Sequence, residues 1–229
     1  MNFFEMCQIE TSLFNIDFAK QDPDWAMVKD VYDNNLCKNE EDCKIPKIIH
    51  FIWLGSDLPE KYVGIIDGWK KHNPEFQIWL WDDEKVSTFL PQMINKDLYD
   101  QTDSFGHRSD MLRYEILKRY GGLYVDVDFL CNANFSAAHN KYCFYAGICL
   151  ERPVQLNNGI MASAPNHPIL DICISQMTLE NPWGIQCPHT LVLYQTGPWA
   201  ITRSVLHYLK NVGNEGVMIY PSTTFHPFP

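Results

Sequence analysis

The sequence predicts an α/β domain: a mostly parallel, Rossmann-like sheet flanked by helices. Three observations carry this. Short, continuous apolar runs alternate with helix-period segments, the pattern of parallel strands covered on both faces. The runs ending at Trp53, at Trp81 and near Asp128 each give way to polar or acidic residues, where ligands of open α/β sheets bind. A two-glycine break, Gly121-Gly122, separates an expected helix from an expected strand carrying two carboxylates, Asp126 and Asp128.

Residues 1–44 are acidic and weakly periodic. Asp22-Pro23-Asp24 is a helix-start signal and Asn39-Glu40-Glu41-Asp42 a polar break. We expect an N-terminal helical extension of one or two short helices, packed on a main domain of residues 45–229. Ile48-Ile49-His50-Phe51-Ile52-Trp53 is rich in β-branched and aromatic residues and reads as a buried strand, with His50 a satisfied core histidine. A helix is expected over 61–72 and a second buried strand over 76–81. Residues 84–99 read as helix interrupted at Pro91, and 106–120 as a third helix stopped by Gly121. The third strand is expected over 123–129. Beyond it, strands are expected at 142–150, 159–162 and 217–220, and helices at 168–177 and from Thr196-Gly197-Pro198 to about Asn211.

Composition bounds the function. The 229 residues carry a formal net charge of −10, which argues against nonspecific nucleic-acid binding and against a polybasic membrane contact. No apolar run reaches bilayer-spanning length. Met1 to Asp17 shows no secretory pattern, so the expected location is cytoplasmic, or that of a secreted effector. Eight cysteines, at 7, 37, 43, 131, 143, 149, 173 and 187, form no C-x-x-C pair or zinc-like spacing. Reduced, mostly buried thiols are expected.

The chemistry centres on Asp126 and Asp128. On a strand, residues i and i+2 share a face, and adjacent carboxylates repel unless a cation intervenes. Hard divalent ions bridge carboxylates to diphosphates. The residues therefore point to Mn²⁺ or Mg²⁺ holding a nucleotide diphosphate; the competing reading is a carboxylate pair neutralised by arginines or helix N-termini. Asp128, further out, is the first choice for the direct ligand. Asp110 and Arg113 share a helix face, as a surface salt bridge or as a pair for phosphate and sugar hydroxyls; Arg108 is a weaker candidate. Trp53 is either core or a stacking platform for a base. Asn157-Asn158-Gly159 is a turn signal whose amides suit sugar hydroxyls, and Thr196 an N-cap. His226 is a late candidate for the metal sphere.

With these residues in place, the chain resembles the D-x-D glycosyltransferases related to fungal Golgi mannosyltransferases, and the catalytic domains of clostridial glucosylating toxins. The resemblance rests on Ile45-Pro46-Lys47-Ile48-Ile49-His50-Phe51-Ile52-Trp53-Leu54-Gly55, Ser109-Asp110-Met111-Leu112-Arg113, Tyr120-Gly121-Gly122-Leu123-Tyr124-Val125-Asp126-Val127-Asp128 and Asn158-Gly159-Ile160-Met161. It implies a GT-A fold and transfer of a hexose, with retention, from a UDP- or GDP-sugar to a glycan, lipid or protein hydroxyl. It further implies that Trp53 stacks on the base with Phe51 and Ile52 near it. Asp110 and Arg113 would contact the donor sugar, Tyr124 would lie near the ribose and sugar, Asp126 would contact the ribose and sugar and also approach the metal, Asp128 would ligate the metal, and Asn158 would approach the transferred sugar. The long helical insertions of the toxins and the membrane anchor of the Golgi enzymes are not matched.

Overall fold

The computed structural model describes residues 2–7, 15–36, 44–149 and 154–225. Three helices come first: α1 (Phe3–Met6), α2 (Ile16–Gln21) and α3 (Pro23–Asn35). Asp22 caps α3 through its Oδ1, which accepts from the amides of Asp24 and Trp25, and Pro23 opens the first turn, as N-terminal helix chemistry favours. Phe3, Trp25 and Val28 of these helices are buried and join the main hydrophobic core.

Strands and helices then alternate: β1 (Ile48–Ile52), α4 (Glu60–His72), β2 (Gln77–Trp81), α5 (Asp83–Phe89), a 3₁₀ turn over Leu90–Gln92, α6 (Lys96–Asp100), α7 (Phe105–Tyr120) and β3 (Gly122–Val125). After them come α8 (Ser136–His139), β4 (Phe144–Cys149), β5 (Gln155–Ser163), α9 (Pro168–Gln176), α10 (Pro188–Gln195), α11 (Pro198–Asn211) and β6 (Val217–Tyr220). The six strands form one sheet in the order β2-β1-β3-β5-β4-β6. β1 pairs in parallel with β2 and β3, and β4 with β6, while β5 runs antiparallel to both β3 and β4. One core lies on each face of the sheet.

Several expectations are corrected. β3 ends at Val125, so Asp126 and Asp128 lie on a turn closed by the Phe129 amide donating to the Asp126 carbonyl. They converge through the turn and not through strand alternation. β2 is an edge strand, exposed or half-buried until Trp81. The Asn157-Asn158-Gly159 segment lies inside β5 at a shift in its register with β4; its backbone is met by the Asp126 amide donating to the Gly159 carbonyl, by Arg113 donating to the Asn158 carbonyl, and by the Asn157 side chain accepting from the Gly159 amide. The cap of α11 is Gly197, not Thr196. Short α8 and α10 lack a periodicity that distinguishes them from loop. Leu150 and His226 lie outside the described residues.

The cysteine expectation fails at one position, because Cys143 is disulfide-bonded. Pairing depends on which Cα atoms the fold brings within several ångströms, which spacing alone does not reveal. Cys7, Cys131, Cys173 and Cys187 carry free thiols, and of these Cys7 and Cys173 are buried.

Two contacts lock β1, β2 and β3 together beneath the site. The Trp81 indole donates to His50 Nδ1 at 3.1 Å, leaving Nε2 to donate to the Gly121 carbonyl at 2.8 Å. This is the satisfied core histidine expected from the apolar run. The two-glycine break is equally constrained. Gly121 and Gly122 have φ of +63° and +102°, conformations that side chains resist. A Cβ on Gly122 would lie 2.6 Å from the Ile48 carbonyl.

Candidate active site

The site begins inside α7. Ser104 caps this helix by accepting from the His107 amide, and Asp110 to Leu117 are all buried. Asp110 and Arg113 are both only 6 % exposed. Burying charge costs several kcal/mol per ion unless partners compensate, and here each charge has several. Arg113 Nη2 lies 3.2 Å from Asp110 Oδ1, and Nη1 lies 3.3 Å from Asp126 Oδ1. Nη1 also donates to the Asn158 carbonyl at 2.9 Å, and the guanidinium sits 4.4 Å over the Tyr124 ring.

The remaining acceptors of Asp110 are filled from two other elements. Asn158 Nδ2, from β5, donates to Oδ1 at 2.8 Å. Thr196, just before α11, donates to Oδ2 at 2.9 Å. Asn158 also donates to the Tyr114 hydroxyl, which itself donates to the Gly197 carbonyl. Thr196 and Tyr114 are site residues that sequence reading misses. Thr196 looked like a cap, and Tyr114 carried one signal, its place one helical turn after Asp110.

Electrostatics follow from burial. Desolvation raises the Asp110 carboxyl above its ordinary value, with Arg113 and Thr196 opposing. For Arg113, burial disfavours the charge, yet Tyr124, Asp126 and Asp110 together hold its pKa above normal. The guanidinium is therefore a permanent buried cation, and Asp126 its carboxylate nearest solvent, with a side chain 37 % exposed.

A cavity of about 510 Å³ opens beyond the ends of β1 and β3. Arg113, Tyr124, Asp126 and Asp128 line it, together with Ile52 and Trp53. Trp53 is half-buried; its indole donates to Ser56 Oγ and the Asp57 carbonyl, both at 3.1 Å, and its ring packs on Tyr62 at 5.2 Å. Tyr124 donates to Asp126 Oδ1 at 2.6 Å. Strand β5 closes behind: the Asp126 amide donates to the Gly159 carbonyl at 2.8 Å, and a Cβ on Gly159 would fall 2.5 Å from Asp126 Oδ2.

Other candidates sit elsewhere. Phe51 faces the opposite core, fully buried against Trp69, because neighbouring strand residues alternate faces. Asp110 and Asn158 are buried behind Arg113 and do not line the cavity. Arg108 pairs with Asp103 and packs over Tyr99. Asp128 is exposed at the cavity wall. Among the described residues, no group of three or more His, Cys, Asp or Glu is placed to hold a metal. The protein donors to a cation are thus few, as for ions that retain water and bind mainly through one or two carboxylates and substrate phosphates. Asp128, beside Asp126, fits that role.

The fold and the site resemble those of D-x-D glycosyltransferases, and the comparisons with known proteins point to the same class. Residues 59–145 match the family described as the glycosyltransferase sugar-binding region containing DXD motif. The chain is 30 % identical over 185 residues to inositol phosphoceramide mannosyltransferase 3 of Schizosaccharomyces pombe, covering 79 % of this chain and 50 % of that protein. It is 29 % identical over 189 residues to the uncharacterized glycosyltransferase L373 of Acanthamoeba polyphaga mimivirus, covering 80 % and 73 %. Among solved structures, the PaToxG glycosyltransferase aligns with a TM-score of 0.59 at 20 % identity, over 86 % of this chain and 77 % of that one; this likeness shows a common fold. The chain spans about half the length of the S. pombe relative.

Proposed function

We propose that the protein is a metal-dependent, retaining glycosyltransferase that moves a hexose from a UDP- or GDP-sugar to an acceptor hydroxyl. The observation that carries this is the convergence of Asp126 and Asp128 with Arg113, Tyr124 and Trp53 on one cavity at the strand ends. In the proposed complex, Trp53 supports the base and Asp126, held by Tyr124, receives ribose or sugar hydroxyls. Arg113 places positive charge beside the sugar diphosphate. Asp110 and Asn158 act as positioning residues, fixing the guanidinium from behind.

Asp128 would hold Mn²⁺ or Mg²⁺, with Asp126 adjacent; His226 lies outside the described residues and stays a candidate ligand. When bound, such an ion supplies charge neutralisation for the departing nucleotide diphosphate. The acceptor oxygen bonds to the anomeric carbon as the bond to the phosphate oxygen breaks, and the acceptor proton passes to that oxygen. Retention rests on the family likeness. Glycan, lipid and protein acceptors all remain within the proposal; the name of the S. pombe relative favours a lipid. Residues 1–44 are proposed as a helical extension of a catalytic domain spanning 45–229. Among the described residues, no helix is long and apolar enough to cross a membrane. The Cys143 disulfide favours an oxidising compartment over the cytoplasm.

Two variants test this reading. Asp128→Ala should reduce chelator-sensitive nucleotide release at least a hundredfold while leaving the melting temperature within a degree or two, since the side chain is exposed; normal release from this variant would sink the metal role. Gly159→Ala should act through crowding: the added methyl pushes Asp126 from Tyr124 and Arg113. We expect a loss of about 1–3 kcal/mol in stability and at least a tenfold fall in kcat/KM. Unchanged turnover would show that Asp126 need not hold this position.

A further inference from the structure

A second cavity, of about 650 Å³, lies beside the first and shares only Asp128 with it. Its walls are apolar and ring-rich: Trp69, Phe135, Tyr145, Tyr220 and Phe225 line it, with Ile160 from β5. These rings pack on one another. Phe135 stacks on Tyr145 at 6.5 Å and on Phe225 at 6.4 Å, and Tyr220 meets Tyr145 and Phe225 edge-on at 5.9 and 5.6 Å. Among the described residues, Asp128 is the one ionisable carboxylate on the wall, and no lysine, arginine or histidine lines it. None of these described residues offers a phosphate or other anion a countercharge.

One polar group in this wall is unsatisfied. Tyr145 is fully buried, and its hydroxyl has no hydrogen-bond partner among the described residues. Other donors nearby are occupied: the Trp69 indole donates to the Phe129 carbonyl at 2.7 Å, and Asn134 Nδ2 to the His72 carbonyl and Glu75. An unpaired buried hydroxyl is costly and is relieved when a ligand supplies the missing acceptor. Burial also raises the Tyr145 pKa well above normal, so the group stays a neutral donor.

We propose that this cavity is the subsite for an uncharged, apolar aglycone of the acceptor, with the Tyr145 hydroxyl donating to one oxygen of that aglycone. The inference rests on the glycosyltransferase reading above, since the shared Asp128 is what makes the second cavity an acceptor site. An aglycone seated there places the remainder of the acceptor toward the donor cavity. Ring walls suit an aromatic or alkyl body, and the described wall, with no cation, disfavours an anionic one.

The test is calorimetric titration of the whole chain with methyl, phenyl and 4-acetylphenyl β-glucosides, in which the sugar contribution cancels. Phenyl should bind at least tenfold tighter than methyl, and the acetyl carbonyl should add a further severalfold gain. Tyr145→Phe should remove the acetyl gain and keep the phenyl preference. Ala138→Phe, which fills the cavity from α8, should remove the phenyl preference. Tyr145→Phe deletes an unpaired hydroxyl without changing shape, so it keeps the test open if the bulkier variant misfolds. Equal binding of methyl and phenyl glucosides, or an acetyl gain intact in Tyr145→Phe, would overturn the proposal. Nucleotide release from donors is measured separately. Release without aryl preference sinks the subsite alone; aryl preference without release sinks the transferase reading and leaves the cavity a binding site for apolar ligands.

Discussion

Arg113→Met is expected to abolish nucleotide release and to cost about 3–5 kcal/mol of stability, the range for breaking a buried ion pair from one side. The reason is what the variant leaves behind. Asp110 would stay buried with its charge opposed only by Thr196 and Asn158, and its carboxyl, already raised by burial, would rise further. The Asn158 carbonyl and Asp126 would each lose a donor. For a chain of this size the loss corresponds to roughly 10 °C in melting temperature. Arg113→Lys should recover part of the stability but little of the activity, because an ammonium cannot reach Asp110, Asp126 and the Asn158 carbonyl together. Thermal melts of both variants check this. A melting temperature within 2 °C of wild type for Arg113→Met would show that the buried network contributes little.

Mild acid should unfold the protein. His50, His139 and His167 are buried, and desolvation lowers each pKa to about 4 from the ordinary 6.5. Protonation also breaks particular contacts. His50 Nδ1 accepts from Trp81, and His167 Nδ1 accepts from the Ile169 amide as the cap of α9. The sign follows directly. These groups are neutral in the fold, so between pH 6.5 and 4 the unfolded chain binds more protons and stability falls as pH falls. Each histidine contributes at most about 1.4 kcal/mol per pH unit in that window, so three acting together approach roughly 4 kcal/mol per unit. Asp110 and Glu115, whose carboxyls burial raises, oppose the trend with two groups against three. The melting temperature should be level from pH 8 to 7 and drop steeply below 6.5. His167→Asn, which keeps a capping side chain, should flatten the slope by about a third. A level profile from pH 7 to 5 would contradict the account.

Much of this architecture was legible in the residues because local physics and tertiary structure agree there. The apolar run at Ile48–Ile52, the helix before Gly121 and the final strand Val217–Tyr220 fall as periodicity predicts. The break at Gly121-Gly122 was readable because its backbone excludes side chains. Where tertiary contacts decide, local reading falls short. Asn157-Asn158-Gly159 carries turn residues, yet it continues β5 through a register shift, held by contacts from Asp126 and Arg113 that no local pattern shows. Thr196 carries a capping side chain, yet the buried Asp110 carboxylate claims it. Asp110 and Asn158 read as direct sugar contacts, and the structure sets them behind Arg113. No local pattern reveals that the guanidinium is the layer between them and the cavity. Phe51 shows the same limit, since an apolar run on both faces does not say which face meets the ligand.

The central claim is that Asp126, Asp128 and Arg113 serve the metal-assisted cleavage of a nucleotide sugar. The most direct measurement is nucleotide release by the wild-type chain across a panel of UDP- and GDP-hexoses with Mn²⁺, with and without chelator. The account predicts release of UDP or GDP from one donor, lost on chelation and restored by added Mn²⁺. Release that persists unchanged in chelator, or no binding of any nucleotide sugar in the presence of Mn²⁺, would contradict it.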